Sequence, residues 1–311
     1  MLNKMLGNVL FLGFVTLMVG CTQTPPTPSV TTTTPTPTST KALVIGDVTN
    51  QPAKKITRYQ PLADYLAARL SQFGIGVGEV KVAPDVGTMA EFLKSGQVDI
   101  YFDSPYPAMI AVNQSGAQPI LRRWKGGDAI YRTIIFTLKD KGIERLEDLQ
   151  GKMIAFDDVS STSGFVLPFV YLKEAGLKLT EKDSTTDEVA SDEVGYVFSK
   201  DDQNNIQWVI SDKVDAAAVD HRSYLDIPEE SRQAMVILGE TEEVARHVVL
   251  VRSSLPPQEV EALKQIMVDM DKTPEGKAVL EQFEETAKFD TFPTQNDIAR
   301  MQKLYEQVQN R

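Results

Sequence analysis

Four consecutive hydroxyl side chains followed by a glycine are the residues of this chain best suited to chemistry. They occupy Ser160 to Gly164, between the short buried strand predicted for GKMIAF and an apolar helical run. Hydroxyl groups and unpaired amides at a helix start can donate hydrogen bonds to a tetrahedral oxyanion, although one Ser or Thr suffices as a cap. The stretch is therefore predicted to bind an anion or merely to cap the helix. Gly164 is interpreted as giving a ligand access to the backbone.

Strand and helix patterns alternate in the elements that must position this stretch. Apolar runs at 41–48, 77–85 and 98–105 predict strands, and the segments 58–74 and 86–97 between them show helical spacing. This order predicts parallel strands connected by crossover helices. The first half of the folded body is therefore expected to be one α/β lobe.

A second α/β pattern begins near residue 145. It includes a strand and helix around the hydroxyl stretch, and a further helix and strand at 205–221. Segments rich in β-formers at 131–138 and 247–252 separate the two halves. The predicted fold class is thus α/β, with two lobes, a mostly parallel sheet flanked by helices in each, and two crossing hinge strands. Ligands of such folds bind at the carboxyl ends of strands.

Composition excludes several classes of function. The chain has 311 residues, a formal net charge of -11 and a pI of about 4.8. Nucleic-acid binding requires a basic face, so no nucleic-acid partner is expected. Two histidines and one cysteine cannot make a convincing metal site, and no phosphate-binding glycine loop is present. The sequence therefore predicts neither a metal nor a cofactor.

The amino terminus predicts export and lipidation. A basic residue and a short apolar run end in LMVGC, which resembles a bacterial lipobox with Cys21 as the acylated residue. Residues 1–20 are predicted to be the signal peptide and residues 21–41, rich in Thr and Pro, a tether. The chain is expected outside the cytoplasm, lipid-anchored to a bacterial membrane. An ordinary secretory signal or an uncleaved anchor is the alternative.

Several motifs together resemble a known family. The element GKMIAFDDVSSTSG, with YQPLADYL, VDIYFDSPYPA and KVDAAAVD, is similar to the substrate-binding proteins of phosphate/phosphite/phosphonate ABC transporters. The resemblance covers about residues 42–285. It implies a two-lobed, type II-like periplasmic-binding-protein fold, with lobe 1 at 42–133 and 248–311 and lobe 2 at 134–247. It also implies delivery of a small oxyanion to a membrane permease by a protein that is not an enzyme. A monomer is expected.

The resemblance also implies ligand contacts. Those carried over by position are Ser104, Tyr131, Ser161, Thr162 and Ser163, with Tyr59 near the entrance. Three of them have structural alternatives: Ser104 as a turn residue, Tyr131 as a half-buried strand residue, and Tyr59 as a residue packing on its own helix.

One position departs from the family pattern. Many members carry a second-lobe histidine about a dozen residues before the VDA strand, where this chain has Asp202. A carboxylate repels an anion unless the ligand has a proton to donate. Asp202 is thus predicted either to select a protonated oxyanion or to be a solvated loop residue. Arg246 and His247 are predicted to neutralise the anion, or else to form a surface pair at the hinge.

Two other functions remain open at this stage. The same fold could sense a ligand and signal to a membrane kinase or receptor. A hydrolase with a nucleophile in STSG is a third hypothesis, although no spacing in the chain nominates the base that a serine nucleophile requires.

Overall fold

The computed structural model describes residues 40–294 and 296–309. The predicted signal peptide, Cys21 and most of the predicted tether lie outside these ranges. Lys41, assigned to the tether from the sequence, is instead the first residue of a strand. None of the helices in the described ranges has the length and apolarity needed to cross a membrane.

Strands and helices alternate along the described residues. The strands are β1 (Lys41–Val48), β2 (Ile75–Ala83), β3 (Ile100–Asp103), β4 (Gln118–Arg123), β5 (Ile130–Tyr131), β6 (Thr133–Leu138), β7 (Met153–Phe156), β8 (Leu179–Glu181), β9 (Val194–Phe198), β10 (Ala216–Asp220), β11 (Met235–Glu240), β12 (Val244–Ala245), β13 (His247–Val251) and β14 (Phe289–Asp290). The helices are α1 (Pro52–Ala68), α2 (Val86–Ser95), α3 (Pro105–Ser115), α4 (Leu167–Glu174), α5 (Asp202–Ile210), α6 (His221–Leu225), α7 (Glu229–Arg232), α8 (Pro257–Asp269), α9 (Pro274–Gln282) and α10 (Asn296–Gln309).

Lobe 1 is the part of the chain built around the first sheet. Its strand order is β14-β4-β13-β3-β1-β2. β1 pairs in parallel with β2 and β3, whereas β13 runs antiparallel to β3 and β4. Its core has buried side chains on both faces of the sheet, with Ile45 and Phe102 on one face and Tyr101 and Leu250 on the other. Because β1 and β3 are parallel, their carboxyl ends lie at the same end of the sheet, where α1 and α3 begin.

Lobe 2 is built around the second sheet, in the order β11-β6-β10-β7-β9-β8. β7 pairs in parallel with β9 and β10, and β6 is antiparallel to β10 and β11. A wide helical turn, Thr162–Val166, follows β7 and continues directly into α4. The hydroxyl stretch thus lies at the carboxyl end of a central strand.

The chain crosses between the sheets through a small antiparallel ladder. β5 pairs with β12 in a two-stranded sheet of their own. On either side of this ladder, Thr133 already belongs to the lobe 2 sheet and His247 to the lobe 1 sheet. Two α/β lobes joined by crossing strands are the architecture that the sequence predicts.

The last helix, α10, packs against both lobes. Met301 joins the apolar cluster of lobe 1 that includes Met109, and Leu304 and Val308 join the cluster of lobe 2 that includes Phe165. Two of its polar side chains follow the same division. Gln302 hydrogen-bonds Asn113 in lobe 1 at 2.9 Å, and Gln307 hydrogen-bonds Glu174 in lobe 2 at 3.0 Å. The amphipathic tail therefore bridges the two lobes.

Several elements differ from the sequence-based expectation. The helix predicted at 58–74 begins at Pro52, whose fixed φ suits a first helical position, and ends at Ala68. A separate short turn, Ser71–Phe73, then closes on Gly74 at φ 75°. The strands β4 and β9 were not predicted, because β4 ends in two arginines and β9 follows an acidic run.

Candidate functional site

A cavity of about 270 Å³ lies between the two lobes. Three strand-to-helix junctions reach it, those between β1 and α1, between β3 and α3, and between β7 and α4. The residues that line it are Asp47, Val48, Lys55, Tyr59, Phe102, Asp103, Ser104, Lys125, Tyr131, Ser161, Thr162, Ser163, Arg246 and His247. The structure thus brings eight of the nine sequence-predicted ligand contacts to one place.

Ser161, Thr162 and Ser163 form the lobe 2 wall of the cavity. The Ser161 side chain caps the helix, because its Oγ accepts a hydrogen bond from the amide of Gly164 at 3.0 Å. The amides of Thr162 and Ser163, the first of the helical turn, donate to no acceptor among the described residues. Helix starts leave such amides unsatisfied. The capping prediction is therefore confirmed for Ser161, and anion binding by this stretch stays a prediction.

Gly164 has a packing role, so the interpretation that it admits a ligand to the backbone is wrong. A Cβ on Gly164 would lie 2.3 Å from Cβ of Asp157 and 2.9 Å from Oγ of Ser161. The residue is buried against the end of β7. Any side chain at this position would push the capping turn away from the strand.

The hydroxyl of Thr162 connects the lobes. It accepts a hydrogen bond from the amide of Tyr106 at 2.9 Å and donates one to Oγ of Ser104 at 3.0 Å. Both partners lie at the start of α3 in lobe 1. Ser104 and Thr162 therefore meet across the floor of the cavity, and the two helix starts face each other there.

Several linked ion pairs lie on the lobe 1 wall of the cavity, and the sequence did not predict them. Nζ of Lys55 lies 2.9 Å from Asp47 and 2.5 Å from Glu284, and Nζ of Lys125 lies 3.4 Å from Glu284. Against the effect of burial, Lys125, Arg123 and Lys55 lower the pKa of Glu284 to about 2. Lys55 lies one helical turn before Tyr59 on α1, and this spacing is the feature of the sequence that could have placed Lys55 near the site.

Two lobe 1 carboxyls are harder to ionise than usual. Burial raises the pKa of Asp47, although Lys55 opposes that effect. Burial also raises the pKa of Asp103, whose carboxylate accepts hydrogen bonds from the Tyr101 hydroxyl and, at 2.7 Å, from the amide of Ser104. The two carboxyls therefore add hydrogen-bond acceptors to a site that also contains the cations described above.

Tyr59 belongs to the lobe 1 core more than to the cavity entrance. Its side chain is 1% exposed, and its ring packs edge-on against Phe283, with centroids 4.6 Å apart. Burial raises the pKa of its phenol well above the usual value. The alternative considered from the sequence was packing on its own helix, but its ring partners Phe283 and Phe102 lie outside α1.

Tyr131, Arg246 and His247 lie at the crossing strands. The Arg246 guanidinium stacks 4.5 Å from the ring centroid of Tyr131 and lies 3.3 Å from the carboxylate of Asp220. Burial raises the pKa of Tyr131 to about 12 even with that cation beside it. His247 is buried, 7% exposed, and its Nδ1 has no hydrogen-bond partner within the described ranges.

Asp202 does not line the cavity, so neither sequence-based alternative describes it. It is the first residue of α5 and is partly buried, and its Oδ2 accepts a hydrogen bond from the amide of Asp220 at 3.3 Å. Burial, with Asp157 and Asp220 nearby, raises its pKa to about 6. Its route to the cavity is indirect, through Asp220, which pairs with Arg246.

Family membership follows from a match over most of the described body. The model of a family described as "ABC transporter, phosphonate, periplasmic substrate-binding protein" matches residues 46–296. The chain belongs to this family. Members of this phosphonate-binding family are transport components that bind a substrate, which confirms the resemblance seen in the sequence.

Similar proteins agree with the assignment to the phosphonate-binding family. The Phosphate-import protein PhnD of Mycolicibacterium smegmatis is 32% identical over 123 residues, or 38% of this chain and 37% of that protein. The chain therefore matches little more than a third of that relative's length. The fold of the present chain is that of type II periplasmic binding proteins, as the sequence predicted.

Three solved structures of two proteins illustrate that fold. XAC2383 from Xanthomonas citri, described bound to chloride ion, has a TM-score of 0.80 and 27% identity over 86% of this chain and 99% of its own. A structure of the same protein bound to ATP gives 0.80 and 26%, covering 86% and 98%. PhnD1 from Prochlorococcus marinus, in complex with methylphosphonate, has a TM-score of 0.62 at 17% identity over 87% and 99%, which supports the fold alone.

Proposed function

We propose that this chain captures a phosphorus oxyanion, namely phosphate, phosphite or a phosphonate, in the cavity between its lobes. The observation that carries the proposal is the lobe 2 wall, where Ser161, Thr162 and Ser163 line the cavity and the amides of Thr162 and Ser163 have no acceptor among the described residues. Preorganised donors at a helix start suit a tetrahedral anion. Lys55, Lys125 and Arg246 on the other walls supply positive charge within reach of the same ligand.

The captured anion is delivered to an ABC permease in the membrane. This step follows from membership of the family, and it makes binding, without turnover, the function of the chain. The lipobox-like LMVGC sequence supports an extracytoplasmic location with Cys21 as the lipid anchor. The chain is proposed to act as a monomer.

The range of ligands to test comes from the similar proteins. A methylphosphonate complex is known for the Prochlorococcus protein and an ATP complex for the Xanthomonas protein. A phosphoryl group with a substituent is therefore as important a probe as a free oxyanion. The cavity of about 270 Å³ could hold roughly nine water molecules at about 30 Å³ each, so it has room for a substituent.

Titration calorimetry of ligand-free protein tests the proposal. The panel is phosphate, phosphite, methylphosphonate, 2-aminoethylphosphonate and ATP, with sulfate as a non-phosphorus oxyanion. We expect at least one phosphorus compound to bind in preference to sulfate. No heat from any phosphorus compound, in protein shown to be ligand-free, would sink the proposal.

A matched pair of serine variants assigns any binding to the cavity. Ser163→Ala removes a hydroxyl that lines the cavity, and the expected loss is about 1 kcal/mol or more, or roughly fivefold in affinity. Ser160→Ala is the control, because the Ser160 hydroxyl hydrogen-bonds Asp158 at 2.8 Å and does not line the cavity. Equal effects of the two changes would place the ligand elsewhere.

A further inference from the structure

His247 is a cavity-lining side chain whose hydrogen-bonding capacity is unused. It is the first residue of β13, it is 7% exposed, and its Nδ1 has no hydrogen-bond partner among the residues that the structure describes. A buried polar atom without a partner costs free energy, so such atoms call for an explanation. Because Nδ1 itself is buried, a ligand in the cavity would reach the ring through Nε2, or through Nδ1 only after the ring turns.

Positive charge surrounds this imidazole. β4 places Arg123 opposite His247 in the sheet, Arg246 precedes it in the chain, and Lys125 and Lys55 share its cavity. Burial, together with those four cations, holds the pKa of His247 well below its usual value. We therefore expect the ring to be neutral at physiological pH in the ligand-free protein.

The carboxylates that face the same region are engaged elsewhere. Asp47 and Glu284 pair with Lys55, Glu284 also lies 3.3 Å from Nη2 of Arg123, and Asp103 on the neighbouring strand β3 accepts from Tyr101 and Ser104. None of these carboxylates hydrogen-bonds the histidine in the described ranges. Protonation of the His247 ring therefore requires a further negative charge beside it, which a bound anion would supply.

Resting on the proposed function, we propose that His247 takes up a proton when an oxyanion enters the cavity and donates it in a hydrogen bond to that anion. The proton comes from solvent, and the ring gains one positive charge while the ligand supplies the negative charge that stabilises it. A doubly charged oxyanion would favour protonation more than a singly charged one. His247 would thus contribute selectivity for dianionic phosphoryl groups over monoanions.

Proton-coupled binding predicts a specific pH dependence. Because the ring is protonated only in the complex, affinity should rise as pH falls from the pKa of the complex towards that of the free protein. In that window, each fall of one pH unit should increase the affinity of the parent protein, relative to that of His247→Gln, about tenfold. The comparison is made at pH values where the ligand keeps one charge state, so that titration of the ligand itself does not contribute.

Nitrogen NMR of histidine-labelled protein observes the proton directly. The chain has two histidines, His221 and His247, so His221→Gln assigns both rings and serves as the matched control. We expect the His247 ring to be neutral at pH 7 in the free protein and an imidazolium with saturating phosphate or methylphosphonate. A ring that stays neutral while calorimetry shows binding overturns this inference and leaves the proposed function standing.

Lys125→Met tests the electrostatic cause without a ligand and without altering the histidine. Removing this cation should raise the pH at which His247 titrates in the free protein. An unchanged titration would contradict the role given to the cation cluster. If none of the phosphorus probes binds at all, the proposed function fails and this inference fails with it.

Discussion

At the scale of single residues, the neighbouring hydroxyls of Ser161 and Thr162 have different roles. Ser161 caps its own helix, whereas Thr162 holds the start of α3 from across the cavity floor. A ligand that took the donor of Thr162 would have to replace its bond to Ser104. The Thr162 hydroxyl is therefore expected to affect both lobe closure and ligand affinity.

Thr162→Val should weaken ligand binding by about 1 to 3 kcal/mol, because it leaves the buried amide of Tyr106 without its acceptor and removes the donor to Ser104. Titration calorimetry measures the change. Thr162→Ser keeps the hydroxyl and should retain most of the affinity. If Val and Ser variants bind equally well, the hydroxyl plays no part in capture.

Asp202→Asn should stabilise the fold at neutral pH. The folded-state pKa of Asp202 is raised to about 6, above the value of about 3.9 expected when unfolded. The native state therefore binds the proton more tightly, and ionisation of Asp202 costs stability increasingly as pH rises between those values. Urea unfolding of both proteins from pH 4 to pH 8 should show a gain for Asn on the order of 1–3 kcal/mol above pH 6 and little below pH 4. A pH-independent difference would contradict the assigned pKa.

At the scale of elements, apolar runs and motifs predicted most of what places the site. β1 and β7 fall where the sequence patterns put them, and the hydroxyl stretch follows β7 directly. The lobe 1 ion pairs could not be predicted in the same way. Lys55 and Glu284 are 229 residues apart, so only the completed fold brings them together.

Helix α10 shows a second limit of sequence patterns. Its amphipathic spacing predicts one buried face but not the surfaces that cover it, and the structure divides that face between the two lobes. Two of the three helices whose junctions with strands reach the cavity, α3 and α4, pack on α10. We therefore expect α10 to fix the relative positions of those helix starts.

Leu304→Ala should destabilise the protein by roughly 2–5 kcal/mol, because Leu304 is 5% exposed and lies in the core of lobe 2. It should also speed ligand release, since α10 supports both walls of the cavity. Glu306→Ala on the exposed face of the same helix is the control and should change stability by no more than about 0.5 kcal/mol. Thermal unfolding and stopped-flow release measure the two effects, and a normal release rate in the Leu304 variant would contradict the supporting role.

At the scale of the whole molecule, the β5–β12 ladder, helix α10 and the hydrogen bonds of Thr162 connect the lobes. A ligand held from both sides would add a further connection. Because it binds only the folded state, it should also raise the unfolding temperature in proportion to the logarithm of its concentration at saturation.

Cys21→Ser should release the exported protein from the membrane, because it removes the thiol that lipidation requires. Fractionation of cells that express the full chain should find the parent protein with membranes and the variant in the soluble extracytoplasmic fraction. Ligand affinity of the released protein should be unchanged, since the described fold begins at residue 40. Membrane retention of the variant would instead favour an uncleaved anchor.

The paired cations of the cavity have a kinetic consequence. Lys55 faces Asp47, Lys125 faces Glu284, and Arg246 faces Asp220, so little unbalanced positive potential extends into solvent. The chain as a whole carries a formal charge of -11, which repels an approaching anion. Higher ionic strength shortens the range of that repulsion. Oxyanion association should accordingly become faster as salt is added, the reverse of the behaviour of electrostatically steered encounters.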